Sequence, residues 1–321
     1  MTSEKVSIRT DSGELVEATA PVIISASRST DIPAFYAKWF FNRLAKGYCT
    51  WYNPFNINQK MYISFERCRV IVFWTKNPAP IIPYLPKLDK RGIHYYFQVT
   101  LNDYVKEGFE PNVPSVEERV ETFKKLSSLI GKEKVIWRFD PLIITPNIEP
   151  RELLTRIWHV GNKLKGYTDK LVFSFVDVKA YRKVQNNLVK ETMLFTKDDV
   201  ENAEANHAQR KEIVEGLKKI REAWHKEGWD IEMATCAEDI DLETYGIEHN
   251  RCIDGELMKR IFADDKELVY YLHTLKWPEK DMFGEIPPIS NKTKNVKDTG
   301  QRKICGCMVS KDIGMYNTCR H

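Results

Sequence analysis

The sequence predicts an α/β protein built on a parallel sheet, in the form of a (β/α) barrel followed by a cysteine-bearing C-terminal tail. Three observations predict it. Six short apolar runs bounded by turn residues recur along the chain, helical patterns lie between most of them, and the polar residues of the runs gather at their C-terminal ends. A helix between successive strands requires crossover connections and therefore parallel pairing. An open doubly wound sheet satisfies the same pattern; the barrel is preferred because helix follows strand with few returns across the sheet.

The elements follow in order. Val22 to Ser27 reads as the first buried strand, and residues 33–44 as a helix with Pro33 near its start and Gly47 just past its end. Val70 to Thr75 and Tyr95 to Thr100 are the next two strands. Val116 to Ile130 is a helix closed by Gly131, Val135 to Asp140 the fourth strand, and Glu152 to Leu164 a helix closed by Gly166. Leu171 to Val176 is the fifth strand, and Lys179 to Phe195 a polar insertion after it. Thr196 and Asp199 have the spacing of a capping box and predict a long charged helix ending near Gly228, before the sixth strand at Ile231 to Cys236. Pro278 to Lys303 is rich in Pro, Lys, Asn and Thr without periodicity, so the predicted organisation is a barrel domain over 1–277, a linker over 278–303 and a tail over 304–321.

With 321 residues, 42% of them hydrophobic, the chain can fill one large core. The formal net charge of +4 permits an anionic substrate and does not demand nucleic acid. Charges occupy the N-terminus where a signal peptide needs an apolar run, and no stretch approaches the roughly 18 apolar residues of a membrane span. The expectation is a cytoplasmic protein with no membrane partner. In that reducing compartment an odd count of seven cysteines points to ligands or redox chemistry rather than a disulfide framework.

In parallel α/β folds the active site forms at the carboxyl ends of the strands, so polar residues late in an apolar run are informative. Alternation puts Arg138 and Asp140 on one strand face and Trp137 and Phe139 on the other. Gln98 pairs with Thr100 and Ser25 with Ser27 in the same way, Ser174 and Cys236 sit at or near strand ends, Lys76 follows the second strand, and Arg28 and Asp31 follow the first. Together they predict a polar mouth with Lys76, Arg138 and Asp140 as catalytic candidates and Arg28, Asp31, Gln98, Thr100 and Ser174 as cofactor-binding candidates. Plainer roles compete: Asp31 can cap the helix that Pro33 begins, Arg138 and Asp140 can form a structural network with Lys76, and Gln98 and Ser174 can be satisfied interior groups.

Cys305, Cys307 and Cys319 crowd into a short Gly-punctuated tail, where clustered thiolates have few uses beyond a disulfide or a soft metal. The C-x-C pair is badly placed for a mutual disulfide and well placed to give two ligands to one site. Cys49 and Cys68 read as packing residues. Cys236 and Cys252 could join Cys305 and Cys307 as four thiolates around zinc or an iron–sulfur cluster.

Several blocks of the sequence have the pattern of one family: Ser27-Arg-Ser-Thr-Asp-Ile-Pro33, Asn53-Pro-Phe55, Phe73-Trp-Thr-Lys-Asn-Pro78, Phe97-Gln-Val-Thr-Leu-Asn102, Trp137-Arg-Phe-Asp-Pro141, Cys236-Ala-Glu238 with Cys252-Ile-Asp254, and Cys305-Gly-Cys307 with Ser310-Lys-Asp-Ile-Gly-Met-Tyr-Asn-Thr-Cys319. From Val22 onward the chain resembles the family catalogued as domain of unknown function 1848, whose C-terminal cysteine cluster is similar to the one that opens radical S-adenosylmethionine (SAM) enzymes. The resemblance implies a [4Fe-4S] cluster with SAM as cofactors, a reductant such as ferredoxin or flavodoxin as partner, and Cys319 as the first of three cluster cysteines. It also implies that the sequence continues past His321 with the other two, so that the tail as given stops before the rest of the motif. Arg138 and Lys76 would then meet the SAM carboxylate, Asp140 or Asp31 its amine or ribose hydroxyls, and Gln98 or Thr100 its polar edges. A radical SAM enzyme carries its cluster loop after the first strand, and here that loop, Ser27 to Asp31, has no cysteine; a tail folding over the mouth would supply it. Two other functions fit the residues: a structural zinc or iron–sulfur protein whose barrel binds a ligand such as a nucleic acid, and a metal-free enzyme using Lys76 with Asp140 for acid–base work.

Overall fold

The computed structural model describes residues 4–54, 56–236, 242–289, 297–298 and 305–321. Phe55, Glu238 and most of the stretch from 290 to 304, all singled out in the sequence, lie outside the described residues. The strands are β1 (Glu4–Arg9), β2 (Leu15–Ala20), β3 (Ile23–Ala26), β4 (Tyr48–Asn53), β5 (Asn56–Ser64), β6 (Val70–Thr75), β7 (His94–Thr100), β8 (Val135–Leu142), β9 (Lys170–Phe175), β10 (Glu232–Thr235), β11 (Glu248–His249) and β12 (Lys311–Asp312). The helices are α1 (Ile32–Phe35), α2 (Ala37–Lys46), α3 (Pro86–Asp89), α4 (Val116–Ile130), α5 (Pro150–Leu164), α6 (Arg182–Glu191), α7 (His207–Lys226), α8 (Gly255–Ile261) and α9 (Lys266–Thr274).

The six predicted strands are β3 and β6 to β10, and they belong to a large sheet ordered β11-β10-β9-β8-β7-β6-β3-β12. Its pairings β3/β6, β3/β12, β8/β9, β9/β10 and β10/β11 are parallel. The order has two ends, β11 and β12, and no pairing that closes it into a barrel is found among the described residues. A second sheet, ordered β1-β2-β5-β4, was not anticipated. Its strands lack the continuous apolar runs of the parallel sheet: β1 has no buried residue, so there is little hydrophobic pattern to read.

The chain divides into two compact units, one of residues 1–74, 80–97 and 251–319, the other of 75–79, 98–250 and 320–321. In the first, α2 buries Ala37, Phe40, Phe41 and Leu44 on one face and ends at Gly47, whose φ of 82° gives the left-handed cap. Phe40 meets Phe73 of β6 edge-on at 5.6 Å. Where one helix was expected over 33–44 there are two, α1 and α2, separated at Tyr36, a residue with non-helical dihedrals. Asp265 caps α9 by accepting from Leu268 N–H, and its other oxygen accepts from Arg69 and faces His94. Burial alone would raise its carboxyl pKa, but Arg69, the Leu268 N–H and His94 outweigh that and hold it below the usual value. A depressed native pKa stabilises the fold above the unfolded value, roughly 3.9, and that contribution is lost as pH falls through the native one. Asp265→Asn is therefore expected to flatten the acid limb of a stability-against-pH curve; an unchanged limb would place the acid sensitivity elsewhere.

In the second unit α4, α5 and α7 each bury one apolar stripe, such as Val116, Val120, Phe123 and Leu126 on α4. The helix predicted to open at Thr196 begins instead at His207. Asn206 and Gln209 make the capping box, while Thr196 and Asp199 bond each other ahead of a short 3₁₀ turn. The polar insertion after β9 contains α6. Trp224 of α7 stacks on Trp158 at 5.6 Å and meets Trp229 at 4.7 Å, and a Cβ on Gly161 would lie 2.2 Å from its ring. The ring is held between neighbours and cannot step aside, so Gly161→Ala is expected to cost about 1–3 kcal/mol by overpacking. Urea unfolding measures it, and a neutral result would mean that the indole relocates freely. Among the described residues no helix is long and apolar enough to cross a membrane.

Candidate functional site

The carboxyl ends of β7, β8 and β9 in the second unit hold one connected polar cluster. The Arg138 side chain is 7% exposed; its Nε donates to Asp140 Oδ2 at 3.0 Å, Nη2 donates to the same oxygen, and Nη1 donates to Gln98 Oε1 at 3.2 Å. Period-two alternation on β8 is what places Arg138 and Asp140 side by side. Ser174 of β9 donates to Asp140 Oδ1. Asn102 joins this pair to a second one: its Oδ1 accepts from the Asp140 N–H at 2.8 Å, and its Nδ2 donates to Glu110 Oε1 at 3.2 Å. Lys76 donates to the same Glu110 oxygen, and Arg119 Nη1 lies 3.6 Å from Glu110 Oε2. Burial pushes the Arg119 guanidinium pKa down, against the pull of Glu110.

Lys76, Arg119 and Arg138 face the carboxylates Glu110 and Asp140, so charges of both signs line the cluster. Its guanidinium and ammonium groups are of the kind that pair with a carboxylate or phosphate. Of the residues predicted here, Lys76, Arg138, Asp140, Gln98 and Ser174 are brought together. Thr100 is half-buried at the end of β7, and among the described residues no hydrogen bond ties it to this network.

The first unit holds the loop after β3 and the tail. β12 pairs with β3 in register Ile24 to Lys311 and Ser25 to Asp312. The Asp312 carboxylate accepts from Ser25 Oγ at 2.6 Å, Ser27 Oγ at 2.7 Å, Arg28 N–H at 2.8 Å and Gly314 N–H at 2.8 Å. Gly314 has to be glycine, since a Cβ there would lie 1.9 Å from Ser27 Oγ. Farther along, Tyr36 Oη donates to Thr318 O at 2.7 Å, and Cys319 beside it is exposed. Arg28 reaches over the Trp74 ring at 5.4 Å. Asp31 takes the plainer of its two roles, accepting from Ala34 N–H to cap α1.

Three of the five candidate ligand cysteines meet in this unit. Cys307 Sγ accepts from the N–H groups of Cys252 and Ile253 at 3.2 Å and 3.5 Å, and the neighbouring Cys252 and Cys305 together with burial push its thiol pKa up. The neighbouring Cys307, with Arg28 adding to the pull, draws the Cys305 thiol down to about 6. Cys236 follows β10 in the second unit, its N–H donating to Phe173 O at 3.0 Å. Among the described residues no group of three or more His, Cys, Asp or Glu could hold a metal ion, so the expected four-thiolate site of Cys236, Cys252, Cys305 and Cys307 is not formed there. Cys49 and Cys68 are buried as expected, and burial raises the Cys49 thiol to about 12.

A family model described as Domain of unknown function (DUF1848) matches residues 23–321. The chain belongs to that family. A comparison with curated proteins returned no match. In this DUF1848 chain sequence reasoning missed Asn102, Glu110, Arg119 and Asp312. Glu110 sits in an aperiodic loop between Gly108 and Pro114, so nothing local marks it, and Asn102 follows β7 where its partners are distant in sequence. Asp312 was quoted within its motif but its partners, Ser25 and Ser27, lie more than two hundred residues away.

Proposed function

We propose that this DUF1848 chain is a radical-SAM-like iron–sulfur enzyme whose cluster-bearing segment is the C-terminal tail, its parallel sheet serving as a partial (β/α) barrel. The observation that supports it is the seat of the tail. Asp312, Gly314 and Thr318 rest on Ser25, Ser27, Arg28 and Tyr36, the end of the first parallel strand and the segment after it, where such enzymes carry their cluster loop. The loop itself has no cysteine, and Thr318, the neighbour of Cys319, accepts from Tyr36 a few residues beyond it.

A cluster of this kind takes three thiolates, of which Cys319 offers one, exposed and next to the anchored Thr318. When bound and reduced, the cluster supplies the electron that cleaves SAM; ferredoxin or flavodoxin is the class of protein that would deliver it. The chain's own residues bind and orient. In the second unit Lys76 and Arg138 are cations suited to a carboxylate on the substrate, and Gln98 and Ser174 hold Arg138 and Asp140 in position for it. Asp140 is placed to accept from an amine or hydroxyl on the same molecule.

The test is SAM cleavage by the full gene product, reconstituted with iron and sulfide without oxygen and then reduced. Release of 5′-deoxyadenosine that Cys319→Ala abolishes is the expected result. Cleavage that survives Cys319→Ala, or none from protein with a loaded cluster, would overturn the assignment.

A further inference from the structure

Apart from the residues that the proposed function uses, the first unit holds a cleft of about 520 Å³. That volume lies within the roughly 300–1,000 Å³ of small-molecule sites. Its floor is apolar, since Ala20 at the end of β2 and Val22 just before β3 are both buried. One wall is the C-terminal end of α9 and the segment that follows. There Leu275 takes a left-handed conformation with a φ of 56° and donates its N–H to Tyr271 O at 2.7 Å, and Thr274 Oγ1 accepts from Lys276 N–H at 3.2 Å. A bulky residue persists in that region of the backbone only where its surroundings hold it, and such residues cluster at ligand sites. The reversal brings Trp277 back against Tyr271, with ring centroids 6.3 Å apart and planes at 45°. The two rings form an aromatic corner.

Two further features equip the cleft for a polar ligand. Tyr271 is half-buried, and among the described residues its hydroxyl meets no hydrogen-bond partner. Burial raises its pKa, so the phenol stays neutral and able to donate. Charges of both signs also line the opening. Arg67 pairs with Glu4 at 3.0 Å, whereas Lys276 and Glu279, exposed on either side of Trp277 and Pro278, have no ion-pair partner among the described residues. A lining of one sign would select a simple anion or cation. Both signs beside an aromatic corner match a molecule that joins a carboxylate, an ammonium and a ring.

We propose that this cleft binds a free aromatic α-amino acid, with its ring against Tyr271 and Trp277, its carboxylate toward Lys276 and the Tyr271 hydroxyl, and its ammonium toward Glu279. The site goes beyond the function proposed above and shares no residue with it.

Calorimetry of the full chain with L-phenylalanine, phenethylamine and phenylpropanoate tests it. Phenylalanine should bind at millimolar concentration or below, and the amine and the acid, each lacking one charge, about tenfold or more weakly, because a charge-assisted hydrogen bond is worth roughly that factor. Lys276→Gln and Tyr271→Phe should weaken phenylalanine while leaving phenethylamine unchanged. Glu279→Gln should weaken phenylalanine while leaving phenylpropanoate unchanged, and Trp277→Ala should weaken all three. Lys276 and Glu279 are exposed, so their variants read the site even if Trp277→Ala misfolds. No heat with phenylalanine, equal affinity for the three compounds, or parent-like binding by Lys276→Gln and Glu279→Gln would overturn the proposal. None of these measurements involves SAM, so such a failure would leave the radical-SAM reading standing.

Discussion

Asp140→Ala is expected to lower the unfolding free energy by about 1.5–3 kcal/mol, the usual worth of a hydrogen bond to a charged group. Arg138 loses both of its bonds to Asp140 and keeps the one to Gln98 Oε1. Ser174 loses its acceptor as well. Asp140→Asn should cost less, because the amide oxygen can still accept from the guanidinium. Denaturant unfolding of both variants gives the comparison. Equal and small losses would mean that water reaches Arg138 and that the pair is not the keystone of the cluster. Lys76→Ala, half-exposed at the edge of the cluster, should cost far less stability while weakening binding of a carboxylate ligand, and that contrast separates scaffold from site.

Asp312→Ala should release the tail. The carboxylate accepts two hydroxyl and two backbone hydrogen bonds, and bonds to a charged group contribute about 1.5–3 kcal/mol each before non-additivity is allowed for. Losing them should raise the open population of the tail by at least about tenfold, since each 1.4 kcal/mol is a factor of ten. Tryptic cleavage at Lys311 or Arg320 reports the opening directly. Gly314→Ala offers a second route to the same state by forcing its Cβ against Ser27. If both variants are cut no faster than the parent chain, the tail is held by something other than this clamp; if they are cut faster and SAM cleavage falls with it, the clamp positions Cys319.

What the sequence by itself determined is the part written in local patterns. Buried parallel strands are continuous apolar runs, so β3, β6 and β7 to β10 were readable to within a residue or two, and α4 with its Gly131 stop was readable to the residue. Strand alternation likewise put Arg138 beside Asp140 before any coordinates. Tertiary structure decided the rest. The polar sheet of β1, β2, β4 and β5 has little apolar pattern, and the start of α7 turned on which of two capping boxes the following chain could use. Asp31 and Asp312 are both carboxylates beside a strand or helix end, yet one caps its own helix and the other crosses the sequence to bind Ser25 and Ser27. Glu110 joins Lys76 and Asn102, and Cys307 joins Cys252, only because the fold brings distant segments together. Short-range periodicity fixes which residues face inward; hydrogen bonds and charges between residues remote in sequence depend on the path of the whole chain.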